Sequence, residues 1–195
     1  CIICDDAYNG LYYQPDLYGH SLFGVLSMRL DPTQFLICKA DGATKELVFF
    51  GGRVGFITFS ADGMAGEALS EKAATLVRAS ISSVSSPAQH AVVGALRSPT
   101  LHQEFLQVLS TLQKRHDALH AAFQQEGLSP FPFNSGCFAL LPVQEDCEQL
   151  RQRLIQEQSV GVIAVPAANG LRIAFCSTEA EDIPELIHRI AKVIH

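Results

Sequence analysis

CIICDDAYNG (residues 1–10) and KADGATKELVFFGGRVGFITF (residues 39–59) are the two segments whose reading decides the fold. The first is an apolar run of strand type that ends in Asp5, Asp6 and Tyr8. The second sets Lys45 among Gly, Thr and apolar residues and follows it with a glycine-rich turn around Arg53. So apolar a setting disfavours the charged form of a lysine and suits it to act as an amine nucleophile. Asp5 closes a strand of the kind whose carboxyl end faces ligands in open α/β sheets. A carboxylate buried there needs a cation, such as a protonated ring nitrogen. Arginine grips phosphate with paired hydrogen bonds, and flanking glycines let backbone approach a ligand.

Working outward, Cys1–Cys4, Phe35–Lys39 and Gly55–Ser60 read as short buried strands, continuous in apolar residues as in a sheet covered on both faces. Between the first two lie an aromatic loop, Tyr8–Tyr18, with Gly10, Pro15 and Gly19 as breakers, and an ambiguous stretch, His20–Leu30, with room for one or two helical turns. From Gly66 to Ser80 the period becomes helical, with Leu69, Ala73, Leu76 and Val77 on one face. A second helix starts at Pro87 or Ala88. A long third runs from Leu101, capped by Thr100, to about Gln125, where Gly127 stops it. The remainder alternates: a strand at Cys137–Pro142, a helix at Asp146–Gln158, strands at Val160–Val165 and Leu171–Cys176, and a closing helix at Glu181–Val193. Arg172 interrupts the apolar run LRIAF, where its charge is costly unless it meets a carboxylate.

With 48% hydrophobic and 17% charged residues the 195-residue chain is globular. Its net charge of −6 argues against nucleic acid as a partner. No apolar run approaches the roughly 20 residues of a membrane span, and no secretion signal is expected. Five of the six cysteines lie in apolar runs where a free thiol behaves as a small hydrophobe, so a reducing cytoplasm is the expected setting. Cys1 and Cys4 share the spacing of a redox pair, but residues three apart on a strand face opposite ways. His116 and His120, four apart on the long helix, lack a third ligand, and no metal is expected. The opening Cys-Ile-Ile-Cys reads as the start of a buried strand, so a longer parent protein is expected.

An acid, a phenol, a lysine and an arginine beside glycines are what pyridoxal phosphate chemistry asks of a protein. Together these segments resemble the class I/II aminotransferases, fold-type I enzymes that use pyridoxal 5'-phosphate. Asp5, Ala7 and Tyr8 match that family's Asp-x-Ala-Tyr, Lys45 its lysine, and Gly51–Gly55 its Gly-x-Arg-x-Gly turn, with Arg53 at the usual offset. Arg172-Ile173-Ala174-Phe175, Ser85–Gln89 and Asn134–Phe138 match further segments in order. The resemblance implies an α/β fold. Residues 1–100 would form the C-terminal part of the large three-layer α/β/α cofactor domain, and residues 101–195 a small α+β domain entered by the linking helix 101–125. It implies that Asp5 pairs with the ring nitrogen, Tyr8 bonds the 3-oxygen, and Lys45 carries the cofactor as an aldimine and then shuttles the proton. Arg53 would bind the phosphate and Arg172 the substrate α-carboxylate, in ping-pong transfer between an amino acid and a 2-oxo acid by a homodimeric parent enzyme.

The chain departs from the family at Gly42, where a serine is frequent, leaving Thr44 as the nearest hydroxyl. At about Ile81 it lacks the arginine of dicarboxylate-selective members, with Arg78 out of register. The family's N-terminal phosphate loop, ring-stacking aromatic and asparagine have no counterpart here. The isolated chain is therefore expected to bind cofactor weakly or not at all. A β-lyase of the same fold and a non-catalytic fragment are the alternatives.

Overall fold

The computed structural model describes residues 1–14, 16 and 18–195, so the breaker role read for Pro15 lies outside the described residues. The chain divides into two compact units, Cys1–Tyr12 with Asp16–Phe105, and Leu106–His195 with Tyr13 and Gln14.

In the first unit β1 (Ile2–Asp5) pairs in parallel with β2 (Ile37–Gly42), Ile2 opposite Ile37 and Asp5 opposite Ala40. A parallel pair needs a crossover, and it contains α1 (Leu22–Arg29), the helix hidden in the ambiguous stretch. Ser21 starts that helix by accepting a hydrogen bond from the Phe23 amide at 3.1 Å while its own hydroxyl donates to Asp6. β3 (Gly55–Phe59) runs antiparallel on the other side of β2, from Gly55 opposite Gly42 to Phe59 opposite Cys38, giving the order β1-β2-β3. Between β2 and β3 lie a single helical turn, α2 (Ala43–Glu46), and a 3-10 turn at Phe50–Gly52. Two helices follow, α3 (Gly63–Ile81) and α4 (Ser86–Leu96), the latter capped by the Ser85 hydroxyl.

The expectation of buried strands holds for β2, where Ile37 and Cys38 are buried, and is corrected for β1 and β3. Ile3 is 71% exposed, Ile57 55% and Phe56 44%, and none of the 19 residues of α3 is buried. The apolar stripe of α3 is only partly covered by the described residues: Leu69 and Ala73 are half-buried, Leu76 and Val77 exposed. What closes is a small core of Ala43, Val54, Ala88 and Val92, with Leu47 and Phe49 packed against it.

The second unit holds an antiparallel sheet, β4 (Phe138–Pro142), β5 (Ile163–Val165) and β6 (Gly170–Ala174), in the order β4-β6-β5. Against it lie the C-terminal part of α5 (Leu101–Gln125), α6 (Cys147–Gln158) and α7 (Ile183–Ile194). α5 stops as its sequence predicts. Gly127 takes φ +66°, its amide donates to Gln124 O and the Leu128 amide to Phe123 O, the double bond that closes a helix on a left-handed glycine. Asp146 caps α6 by accepting from the amides of Glu148 and Gln149 at 3.0 and 2.9 Å. The core is continuous: Leu119, Phe123, Leu150, Leu154, Leu171, Ile173, Phe175 and the α7 face Ile183, Ile187 and Ile190 are all fully buried.

Candidate active site

Topology gathers the first unit's chemical groups at one end of its sheet. β1 and β2 are parallel, so their carboxyl ends lie side by side, and β3 is antiparallel, so the residues before it return to that same end. Asp5 is the last residue of β1, and the turn that follows carries Tyr8. β2 ends at Gly42 and breaks at once into α2, whose third residue is Lys45. Arg53 stands two residues before β3.

Local bonds hold the two turns together. The Ala43 amide donates to Val54 O at 3.1 Å, and the Phe49 amide to Ala43 O at 3.0 Å. A Cβ on Gly42 would lie 2.7 Å from Val54 O, closer than side chains tolerate, which gives this position its physical reason for lacking a serine. Arg53 adopts left-handed backbone, φ 54° and ψ 41°, rare for a side chain of its size. Its Nη1 donates to Phe50 O at 3.2 Å.

A cavity of about 250 Å³ opens at this end, lined by Asp5, Ala7, Asp41, Gly42, Thr44 and Arg53 among others. It therefore joins the acid of the first segment to the arginine of the second. Lys45 and Tyr8 are not part of its wall. They meet each other, with the half-buried Lys45 Nζ 5.4 Å from the Tyr8 ring centroid, within cation–π range. Asp5 is exposed, contrary to the buried carboxylate expected, because nothing described covers the end of β1. Its Oδ1 accepts the Ala7 amide at 3.2 Å.

Sequence reading missed two polar pairs here. Lys39 and Asp41 form an ion pair on one face of β2, each mostly shielded from solvent. The Asp41 hydrogen bond raises the Lys39 pKa, and the charges of Asp6 and Glu46 add to it. Opposite charges two apart on a strand were the available clue. Glu46, next to Lys45, has its pKa raised by burial, an effect that a hydrogen bond from the Asn9 side chain partly offsets.

In the second unit Arg172 occupies the central strand, opposite Leu140 of β4 and Ile163 of β5. Its guanidinium carbon lies 4.5 Å from the Phe138 ring centroid. Its Nε is buried with no hydrogen-bond partner among the described residues. Arg115 Nε is likewise buried without a hydrogen-bond partner among the described residues, but its terminal nitrogens bond Glu179 at 2.8 Å and Cys176 O. His116 is buried and its Nε2 lies 3.3 Å from Phe133 O; His120 stacks on Phe133, its ring centroid 4.3 Å away. The pair packs in an aromatic cluster with Tyr13 and Phe175, and burial pushes the Tyr13 hydroxyl pKa upward. No group of three metal-ligating side chains occurs among the described residues. No helix among them is long and apolar enough to cross a membrane. All six cysteines are free, and the Cys1 sulfur lies 3.8 Å from that of Cys38 on the adjacent strand rather than beside Cys4.

The donor set fits a phosphorylated pyridine aldehyde: a carboxylate for a ring nitrogen, a phenol beside an amine, and a guanidinium and hydroxyl for phosphate around one cavity.

Comparison with known proteins agrees. The family model for aminotransferase class I and II matches residues 1–190. An aminotransferase from Anaerococcus prevotii superposes with a TM-score of 0.78 at 22% identity, over 99% of this chain and 46% of that one. An aromatic aminotransferase from Pyrococcus horikoshii gives 0.78 at 18%, over 98% and 50%. A tetra mutant of Thermus thermophilus aspartate aminotransferase gives 0.77 at 22%, over 98% and 50%. At these identities the likeness establishes the shared α/β fold of this enzyme class. The chain spans about half the length of the solved structures it matches. No curated protein matches it.

Proposed function

The chain belongs to the class I and II aminotransferase family, whose members depend on pyridoxal phosphate, and from that premise we propose that it serves transfer of an amino group from an amino acid to a 2-oxo acid. The observation that carries this reading is the gathering of Asp5, Tyr8, Lys45 and Arg53 at one sheet end by strand direction alone. When bound, pyridoxal phosphate supplies an electron sink for the pair released at the substrate α-carbon.

Lys45 would hold the cofactor through its amine, and the same amine would serve as the base that removes and returns the proton at the substrate α-carbon. Tyr8, whose ring lies beside that amine, would donate its hydroxyl to the ring's 3-oxygen. Asp5 would pair with the ring nitrogen, weakly while it stays exposed, since a solvated ion pair contributes little. Arg53 and Thr44 take the phosphate. Arg172, whose buried Nε has no hydrogen-bond partner among the described residues, would take the α-carboxylate of the substrate. In this reading residues 1–100 are the C-terminal portion of a large cofactor domain and residues 101–195 a small domain, in a parent enzyme that is a cytoplasmic homodimer.

The exposed Asp5 and uncovered strands favour a second statement about the chain by itself: it binds cofactor weakly and turns over no substrate until another polypeptide completes the site.

The test is covalent trapping. The chain is incubated with excess pyridoxal phosphate, reduced with borohydride and mapped by peptide mass. The expected result is a label concentrated on Lys45 and a visible absorbance band that Lys45→Ala abolishes. A label spread evenly over Lys39, Lys45, Lys72 and Lys114 would overturn the assignment.

A further inference from the structure

Two of the six thiols meet across the parallel pair of the first unit. Cys1 Sγ lies 3.8 Å from Cys38 Sγ, in contact but not bonded. The strand register explains the approach. Ile3 stands opposite Cys38, and Cys1, two residues before Ile3, continues the same face of β1. Cys4 stands opposite Lys39 and belongs to the other face. The two sulfurs differ in reach, since Cys1 is exposed and Cys38 is buried. They also differ in freedom. Cys38 is fixed between Ile3 of β1 and Phe59 of β3. Cys1 precedes β1, and the strand is first tied down one residue later, by the Ile2 amide donating to Leu36 O at 2.8 Å. Rotation of Cys1 therefore brings its sulfur onto that of Cys38 while the sheet stays as it is.

We propose that Cys1 and Cys38 form a redox pair, which a peroxide oxidises to a disulfide that staples β1 to β2 and which a thiol reductant reopens. The exposed Cys1, as thiolate, attacks one peroxide oxygen, the O–O bond breaks, and the sulfur becomes a sulfenic acid while the other oxygen leaves as water. The Cys38 thiol then attacks that sulfur, the S–O bond breaks, and a second water leaves with the Cys38 proton. Two thiols thus lose two electrons to one peroxide, giving one disulfide and two waters. The order of events follows from burial: the oxidant reaches Cys1 from solvent, and Cys38 resolves the product from within the sheet. In a reducing compartment such a bond is transient and reports oxidant rather than building structure. Its effect falls on β1, whose one partner in the sheet is β2 and whose last residue is Asp5. Closing the crossover that contains α1 into a covalent ring restricts the opening of β1.

The experiment counts thiols on the full chain. Dilute reduced protein is treated with a small excess of hydrogen peroxide, unfolded, and blocked with N-ethylmaleimide. Intact mass should show two fewer maleimide additions than the six of the untreated chain, and unreduced peptide maps should find Cys1 joined to Cys38. Dithiothreitol should restore all six. Cys1→Ser should lose no thiol under the same treatment. In Cys38→Ser, Cys1 should stop at the sulfenic acid and take a dimedone label. Far-ultraviolet circular dichroism confirms that each variant is folded, and if Cys38→Ser does not fold, Cys38→Ala carries its arm of the test. Hydrogen exchange at the Ile3 and Cys4 amides should slow on oxidation and recover on reduction. Six additions after peroxide, a bond from Cys1 to Cys4, a chain-to-chain dimer through Cys1, or a thiol loss that persists in Cys1→Ser would each overturn the pair. Unchanged exchange in the cross-linked chain would overturn the staple.

Discussion

α3 and α7 carry the same kind of apolar stripe and meet opposite fates. In α7, Ile183, Ile187 and Ile190 are completely buried; in α3, Leu76 is 63% and Ile81 61% exposed. The difference extends to the units they belong to. The second unit has a continuous core that its own segments fill, whereas the first buries fewer side chains, among them Leu11, Ile37 and the cluster around Ala43 and Val54. Periodicity in a sequence states which face of a helix wants cover. It does not state whether the cover is present. Exposed strands such as β3, with apolar side chains and an unpaired edge, are surfaces on which other chains add.

The contrast is broken most severely by hydrogen exchange. Amides of β6 and α7 are expected to approach the protection of global unfolding, and those of β3 and α3 to exchange far faster, by local opening. Comparable protection in both regions would mean that the first unit is supported better than its exposure suggests. Next in size is a pair of substitutions followed by chemical denaturation. Ile187→Ala is expected to cost about 2–5 kcal/mol, and Leu76→Ala in α3 no more than about 0.5 kcal/mol. Equal costs would erase the distinction. Smaller still is the arginine comparison. Arg115→Met breaks bonds to Glu179 and Cys176 and should destabilise the second unit. Arg172→Met removes a guanidinium with no hydrogen bond among the described residues, unlike the terminal nitrogens of Arg115, and should leave stability unchanged or raise it, as measured by thermal melts.

The smallest effect concerns pH, and its sign differs between the units. Glu148, bonded by Arg151, is held at about 2 against an ordinary 4.5. Its folded pKa is lower than its unfolded one, so its contribution is present above about 4.5 and is lost as pH falls toward 2. Being exposed, it contributes little. Glu46 behaves oppositely: its folded pKa is raised by burial, so the first unit loses that contribution as pH rises through the elevated value. Glu46→Gln should therefore flatten the neutral-side slope of stability, and Glu148→Gln the acid-side slope. The same sign for both would show that one carboxyl group sits in a different setting.

Much of this was legible from residues, for reasons that differ by element. α5 could be placed because a 25-residue stripe outvotes its exceptions and Gly127 marks its end. α2 could not, since four residues hold no period, so Lys45 was assigned to no element and stands on a helical turn. Asp5, Tyr8, Lys45 and Arg53 were found by residue type and spacing, but that they share one end of a sheet follows from β1 and β2 being parallel, a pairing no local pattern states. Lys39 against Asp41 went unread because the pair sits inside an apolar strand. Exposure was the weakest inference, as Asp5 and β3 demonstrate, because it depends on neighbours rather than on the segment.

Gly42 facing Gly55 across the β2–β3 pair turns residues 43–54 into a closed loop, and a closed loop measures distance by its number of links. Lys45 lies near one end of it and Arg53 near the other. Both stand close to the neck, which the Ala43 amide ties to Val54 O and the Phe49 amide ties again to Ala43 O. The neck therefore works as a clasp: it holds the bases of the two residues to the end of the sheet, whatever the middle of the loop does.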